Sequence, residues 1–276
     1  MTALAATALY SSGIAFQNGQ GGNSHMSVGA TPTQQATPTK GVDVGGGVPH
    51  RLYGINPASG NVYFIDEGAG TSTQVQTTTT RISGMSKLPG TRTYYLSGGM
   101  TDGGNIYIAN PGSALLVGNS GLGAVSGLAF DPADSRLYGT YTASVLSDGL
   151  CEINPTNGTG TPIGFMGIGG MDSLAIDPTS GTMYGSTGFF YDGSPGDVIT
   201  INKVTGAATD GGQDMNPQPP STVAGMAFAG DGSGYVSIGA GNGSVYSWDT
   251  GSNSISSIVD NATFSNGSMS DIDVAR

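Results

Sequence analysis

The chain has 276 residues, of which 49 are glycine and only 10% are charged, against usual shares of about 7% and about 25%. Eight Lys+Arg against 19 Asp+Glu leave a formal net charge of −11, so the field repels a phosphate backbone and a nucleic-acid role is excluded. Collagen is excluded by the lack of a Gly-X-Y period and a helical span by the lack of an apolar run of about 18 residues, and so much glycine disfavours a helix-rich fold.

In chain order, the stretch from Met1 to about residue 40 lacks the positive n-region of a signal peptide, and Thr7, Ser11 and Ser12 interrupt its apolar part. The expectation is a mature form or export by another route. ALY at 8–10 and GIAFQN at 13–18 read as two short strands. From residue 40 the chain repeats itself. KGVDVGGGVPHRLYG (40–54), SGMSKLPGTRTYYLSGG (83–99), SGLAFDPADSRLYGT (126–140), DSLAIDPTSGTMYGST (172–187) and AGMAFAGDGSGYVSIG (224–239) each hold an apolar strand, a turn and a second strand. A truncated copy, MSDIDVAR, ends the chain at 269–276. The units begin at Gly41, Gly84, Gly127, Ser173, Gly225 and Asp271, at intervals of 43 to 52 residues.

Each unit carries a third strand closed by Asn or Asp: NVYFID (61–66), NIYIAN (105–110), LCEIN (150–154), VITIN (198–202) and SVYSWD (244–249). Turns rich in Gly, Pro and Asn follow, where Asn and Asp side chains bond their own backbone. About four short strands per 45 residues is the period of a β-propeller blade. The predicted fold is an all-β propeller, one domain over 1–276, with six blades favoured. In that reading GVDV (41–44) and DIDV (271–274) are copies of one inner strand, and the C-terminal strand pairs with strands from residues 1–40. The rival is a five-bladed ring in which the last strand completes the unit starting near His50 and residues 1–40 form an arm. Either closure removes open sheet edges.

LCEINPTNGTGTPIG (150–164) and SLAIDPTSGTMYG (173–185) resemble the repeat of secreted bacterial and phage-encoded β-propellers, whose units look like LYxI[DN]PxTG … GLAFDPxxGxLYG. The resemblance is clear over 120–239. It implies the propeller fold and no particular activity, because lactonase-like, quinoprotein-like and plain binding propellers share the motif.

Residues for catalysis are few. His25 and His50 are the only histidines. They lie in no HExxH spacing, no GxSxG elbow is present, and both are expected in surface or turn positions. The two glutamates, Glu67 and Glu152, fall at the outer strand-turn register and suggest no glycosidase pair. The inner strands carry Asp43, Ser86, Ala129, Ala175, Ala227 and Asp273 at their middle position, small residues suited to a narrow throat. In a six-bladed ring Asp43 and Asp273 would face one another from adjacent blades, as solvated aspartates or as a Ca²⁺ or Mg²⁺ site. Asp102-Gly103, Asp148-Gly149, Asp192-Gly193 and Asp231-Gly232 read as hairpin turns. Tyr53, Tyr138 and Tyr184 recur at one position and mark inter-blade packing, while Trp248 is a candidate sugar-stacking side chain. Tyr10, Tyr141, Phe189, Phe190 and Tyr191 fall outside that register. The insertion FFYDGSPGD (189–197), with Phe189, Phe190, Tyr191 and Asp192, is the candidate partner or glycan contact. Cys151 is expected buried and inert.

The expected function is a non-enzymatic binding or structural propeller outside the cell or on a virion surface. It would contact a structural protein, with a glycan as second candidate ligand, and would use neither nucleic acid nor membrane insertion. The alternatives are a secreted lactonase- or lyase-like enzyme with a divalent cation in the throat, and a self-assembling filament or surface-layer subunit.

Overall fold

The structure is a computed structural model. It describes residues 50–276 apart from 58, 78–80, 89–90, 92, 111–112, 145–146, 188–196, 217–218, 220–221, 240–242, 260–268, 270 and 276. The strands run in chain order as β1 (Arg51–Asn56), β2 (Asn61–Asp66), β3 (Thr71–Thr77), β4 (Gly84–Lys87), β5 (Tyr94–Ser97), β6 (Asn105–Asn110) and β7 (Ser113–Asn119). Then come β8 (Val125–Asp131), β9 (Arg136–Ser144), β10 (Ser147–Ile153) and β11 (Gly160–Phe165). The remainder are β12 (Met171–Ile176), β13 (Met183–Thr187), β14 (Asp197–Ile201), β15 (Ala208–Asp214), β16 (Val223–Phe228), β17 (Gly234–Ile238), β18 (Val245–Asp249), β19 (Ser254–Val259) and β20 (Asp271–Ala275).

They form five antiparallel four-stranded sheets, ordered β20-β1-β2-β3, β4-β5-β6-β7, β8-β9-β10-β11, β12-β13-β14-β15 and β16-β17-β18-β19. We number these blades 1 to 5. Five hydrophobic clusters lie between them, one for each pair of neighbours. Ile55, Met85 and Leu96 join blades 1 and 2, and Val125, Ile106 and Ile153 join blades 2 and 3. Leu150, Leu174 and Ile199 join blades 3 and 4, and Ala175, Val223 and Trp248 join blades 4 and 5. Leu52, Ile272 and Val245 close the circle between blades 5 and 1. Both faces of a blade are therefore buried, which is why β1, β2 and β8 read as nearly continuous apolar runs rather than half-polar ones. The outer strand β3, TSTQVQT, is polar and largely exposed, as an edge that must resist pairing should be.

The all-β propeller expected from the repeat is what forms, and its blade count is five rather than the favoured six. β20 pairs with β1 (Leu52↔Val274, Tyr53↔Asp273, Gly54↔Ile272) and so completes the unit that starts at His50. A strand edge accepts one partner, and DIDV fills it; the blade 5–blade 1 core leaves no gap in the ring for a sixth sheet. GVDV at 41–44 and residues 1–40 lie outside the described residues.

The repeated motifs have distinct jobs. In blades 1, 3, 4 and 5 the Asn or Asp ending the third strand makes an Asx turn: Asp66 Oδ1 accepts from Gly68 and Ala69 N–H, both at 3.0 Å, and Asn154, Asn202 and Asp249 repeat the pattern at 2.9 Å. These turns then latch onto the preceding blade. The blade 3 turn at Asn157-Gly158 packs against Gly118 of β7, and the blade 4 turn at Thr205-Gly206 against Gly164 of β11. Blade 5 does the same by hydrogen bonds, Asn216 N–H to Asn253 O (2.8 Å) and Ile255 N–H to Asn216 O (3.0 Å).

Candidate functional site

The five inner strands β20, β4, β8, β12 and β16 surround the ring axis, with their first residues at one end and their turns at the other. At the first end stand Gly84, Gly127, Ser173, Gly225 and Asp271, because the backbones approach so closely there. A Cβ on Gly127 would meet Leu174 N at 2.8 Å, and one on Gly225 would meet Asp271 Cα at 2.6 Å. Asp271 and Ser173 are 1% and 0% exposed and form the floor of the throat. Asp271 Oδ2 accepts from Met85 N–H of blade 2 (2.6 Å), Oδ1 accepts from Ser173 Oγ of blade 4 (3.5 Å), and Ser173 Oγ accepts from Met226 N–H of blade 5 (2.8 Å). One carboxyl thus ties blades 2 and 4 to blade 1 directly, and blade 5 through the Ser173 hydroxyl. Burial, the largest influence, pushes that carboxyl well above the ordinary carboxylate range against the pull of the Met85 and Ile272 N–H groups.

Above this floor lies a cavity of about 290 Å³. The small positions expected to face the throat do so: Ser86, Ala129, Ala175, Ala227 and Asp273 all line it. Each is paired across to a tyrosine of the second strand, Tyr95, Tyr138, Tyr184, Tyr235 and Tyr53 respectively. The tyrosines serve inter-blade packing as predicted, Tyr53 against Tyr94 of blade 2 (5.8 Å between centroids) and Tyr184 against Trp248 of blade 5 (5.2 Å). Higher up, the wall is Lys87, Phe130, Ile176, Phe228 and Val274, and Pro132, Pro178 and Gly230 rim the mouth.

Polar character is concentrated at blades 1 and 2. Asp273 Oδ2 accepts from Lys87 N–H, and Oδ1 from Val274 N–H at 2.6 Å. Burial raises this carboxyl to about 6, opposed by those N–H groups and by the Lys87 charge. The Lys87 ammonium is lowered from its ordinary value, first by burial and also by Arg51, with Asp273 acting in the opposite sense. Its residue is 7% exposed. Among the described residues no carboxylate lies within ion-pair distance of its Nζ and no acceptor within hydrogen-bond distance. Ser86 Oγ accepts from Phe130 N–H at 2.8 Å. Phe228 is braced from behind by Tyr184 (5.5 Å) and Trp248 (5.4 Å).

Of the sequence-predicted site residues, Asp273 lines the cavity, while Asp43, Phe189, Phe190, Tyr191 and Asp192 lie outside the described residues, as do His25, Tyr10 and Asp192-Gly193. Several expectations are corrected. His50 is not a surface histidine: it is 7% exposed, with Nδ1 at 2.9 Å from the Tyr235 hydroxyl of blade 5. Its Nε2 is 3.1 Å from Asp231 Oδ2, an ion-pair distance without the direction of a hydrogen bond. Trp248 is 4% exposed and belongs to the blade 4–5 core, so it offers no sugar platform. Asp148-Gly149 lies inside β10 rather than in a turn. Tyr141 is in the blade 2–3 core. Cys151 is fully buried as expected, its thiol pushed up to about 12 by burial. Sequence reasoning missed Lys87, because "GMSK" in a degenerate unit carries no signal of which strand face its lysine occupies. The one available clue is that the other units put an apolar residue (Phe130, Ile176, Phe228) at that register.

No protein-family profile matches the chain, and no curated protein sequence does. Solved structures share its fold. A chain of the structure described as "Crystal structure of Nidogen/Laminin Complex" aligns over 82% of this chain and 98% of its own length, at 12% identity and TM-score 0.57. A structural-genomics protein of unknown function from Bacteroides thetaiotaomicron VPI-5482 aligns over 82% of this chain at 14% identity and TM-score 0.55. This chain spans 61% of that protein's length. At these identities the likeness establishes a β-propeller and nothing of its role.

Proposed function

We propose that this propeller is a non-enzymatic binding module whose site is the cup on the ring axis. The observation that carries the reading is how the throat's polar groups are employed. Asp271, Asp273, Ser86 and Ser173 each accept a backbone N–H from a neighbouring blade, so the groups that could do chemistry hold the ring together. What remains is a cup of mixed polar and apolar lining on the ring axis, a concave form that suits a small ligand. A divalent cation at Asp273 would have to share that wall with the Lys87 ammonium, which disfavours the metal-dependent alternative. Display outside the cell or on a virion, with a protein or glycan partner, belongs to the same proposal. It is supported by the acidic, lysine-poor composition and by Leu115, Leu116, Phe165 and Val204, which stand exposed on the outer parts of blades 2, 3 and 4.

The test is a melting-temperature screen of small metabolites on the wild type and on Ala175→Phe, which fills the cup, with the milder Ala129→Val beside it. Compounds that stabilise the wild type and lose their effect in the filled variants are expected, and mass spectrometry should recover them unchanged. A converted compound would overturn the non-enzymatic reading, and equal stabilisation of all variants would remove the site from the cup.

A further inference from the structure

The cup is lined by two opposite charges that influence each other without an ion-pair contact between them. Lys87 and Asp273 both line it, yet among the described residues the ammonium has neither a carboxylate within ion-pair distance nor a hydrogen-bond acceptor. The Lys87 side chain is mostly covered and lines the cup, so a ligand carboxylate there would meet a cation that has no partner among the described residues, in surroundings partly shielded from water. Asp273 keeps one lone pair per oxygen after accepting from Lys87 N–H and Val274 N–H, so it can take a further donor. Blades 3, 4 and 5 supply the apolar wall: Phe130, Ile176, Phe228, Leu174 and Met226. Phe228 is fixed by Tyr184 and Trp248, so that wall is preformed. A volume of about 290 Å³ equals roughly ten water molecules at about 30 Å³ each, room for a ligand of about a dozen non-hydrogen atoms.

From this arrangement we infer that the cup takes a zwitterionic α-amino acid with an aromatic or long aliphatic side chain. The ligand carboxylate meets Lys87, its ammonium meets Asp273, and its side chain lies against Phe130 and Phe228. A simple anion would use Lys87 and leave a bare carboxylate beside itself; a simple cation would reverse the fault. The zwitterion satisfies both poles with one molecule. This inference rests on the reading of the cup as a binding site and adds the class of ligand.

Isothermal titration with three probes tests it: L-phenylalanine, 3-phenylpropionate, which lacks the ammonium, and phenethylamine, which lacks the carboxylate. On the wild type, L-phenylalanine should bind roughly tenfold or more tighter than either analogue, the worth of one charged hydrogen bond. Lys87→Met should abolish the preference over phenethylamine while keeping the preference over 3-phenylpropionate, and Asp273→Asn should do the converse. Lys87→Met leaves the Lys87 N–H bond to Asp273 in place, so it decides the matter even where Asp273→Asn folds poorly. Equal binding of 3-phenylpropionate and L-phenylalanine would overturn the ligand class. So would failure of L-phenylalanine, L-leucine and L-methionine to bind while other compounds in the screen still depend on an unfilled cup; in both cases the binding site itself stands. Absence of any cup-dependent ligand would overturn both readings.

Discussion

Asp271 shows how one side chain can be structural and electrostatically unusual at once. It is 1% exposed and accepts from Met85 N–H and from Ser173 Oγ across the throat. Asp271→Ala leaves a buried N–H without its acceptor, a loss of about 1–3 kcal/mol, with a further cost for the cavity it opens. Asp271→Asn keeps an acceptor and should lose less, and urea denaturation of the two variants checks the order. Asp271 is one of several carboxyls raised by loss of solvation: buried Asp148 and half-buried Asp273 reach about 6, and half-buried Asp172 about 7, aided by the Asp148 charge. A raised folded value means the folded chain binds more protons than the unfolded chain between about pH 4 and 7. Stability is then fully present at the acid side of that window and falls as pH rises through it. For Asp148 alone, moved from 3.8 to about 6, the change is worth about 3 kcal/mol. Asp177 works in the opposite sense: burial would raise it, but Ser180 and Thr179 donors outweigh burial and lower it, so its contribution disappears only below about pH 4. The melting temperature should therefore peak near pH 4–5 and fall towards pH 8, and Asp148→Asn should flatten that fall.

At the scale of elements, the latches that join the third-strand turns of blades 3 and 4 to the preceding blade are the features most sensitive to a methyl group. A Cβ on Gly164 would overlap the carbonyl oxygen of Thr205, and one on Gly118 would overlap that of Asn157. Both obstacles are backbone, so neither can swing aside. Gly164→Ala should cost about 1–3 kcal/mol, and hydrogen exchange should quicken at the blade 4 turn while the inner strands keep their protection. The same substitution at Gly211, with open space around its Cβ, should be close to neutral. The turns at 154–158 and 202–206 were legible in the sequence as turns. Their inter-blade contacts were not, because the partner glycine sits about 40 residues away in a strand with no motif of its own.

At the scale of the molecule, ring closure depends on β20. It supplies Ile272 to the blade 5–1 core, Asp271 to the floor and Asp273 to the cup. Removing residues 271–276 exposes the edge of β1 and the sides of β4 and β16 together. Loss of the sharp melting transition and association on size exclusion are expected. Gly60→Ala, at a blade 1 hairpin with φ 68°, should by contrast lower the transition by about 1 kcal/mol without abolishing it.

The repeat, the four-strand unit, the small throat residues and the inter-blade tyrosines were all readable from sequence, since each is a local pattern set by strand period and turn chemistry. Asp273 was readable as a throat residue for the same reason. The blade count was decided only in three dimensions, because GVDV and DIDV are equivalent as strings and only one of them can occupy the edge of β1. The partnership of His50 with Asp231 and Tyr235 joins residues that closure alone brings together. So does the placing of Lys87 beside Asp273, 186 residues apart in the chain: local order determined that both lie on inner strands, and the circle determined that they share one cup.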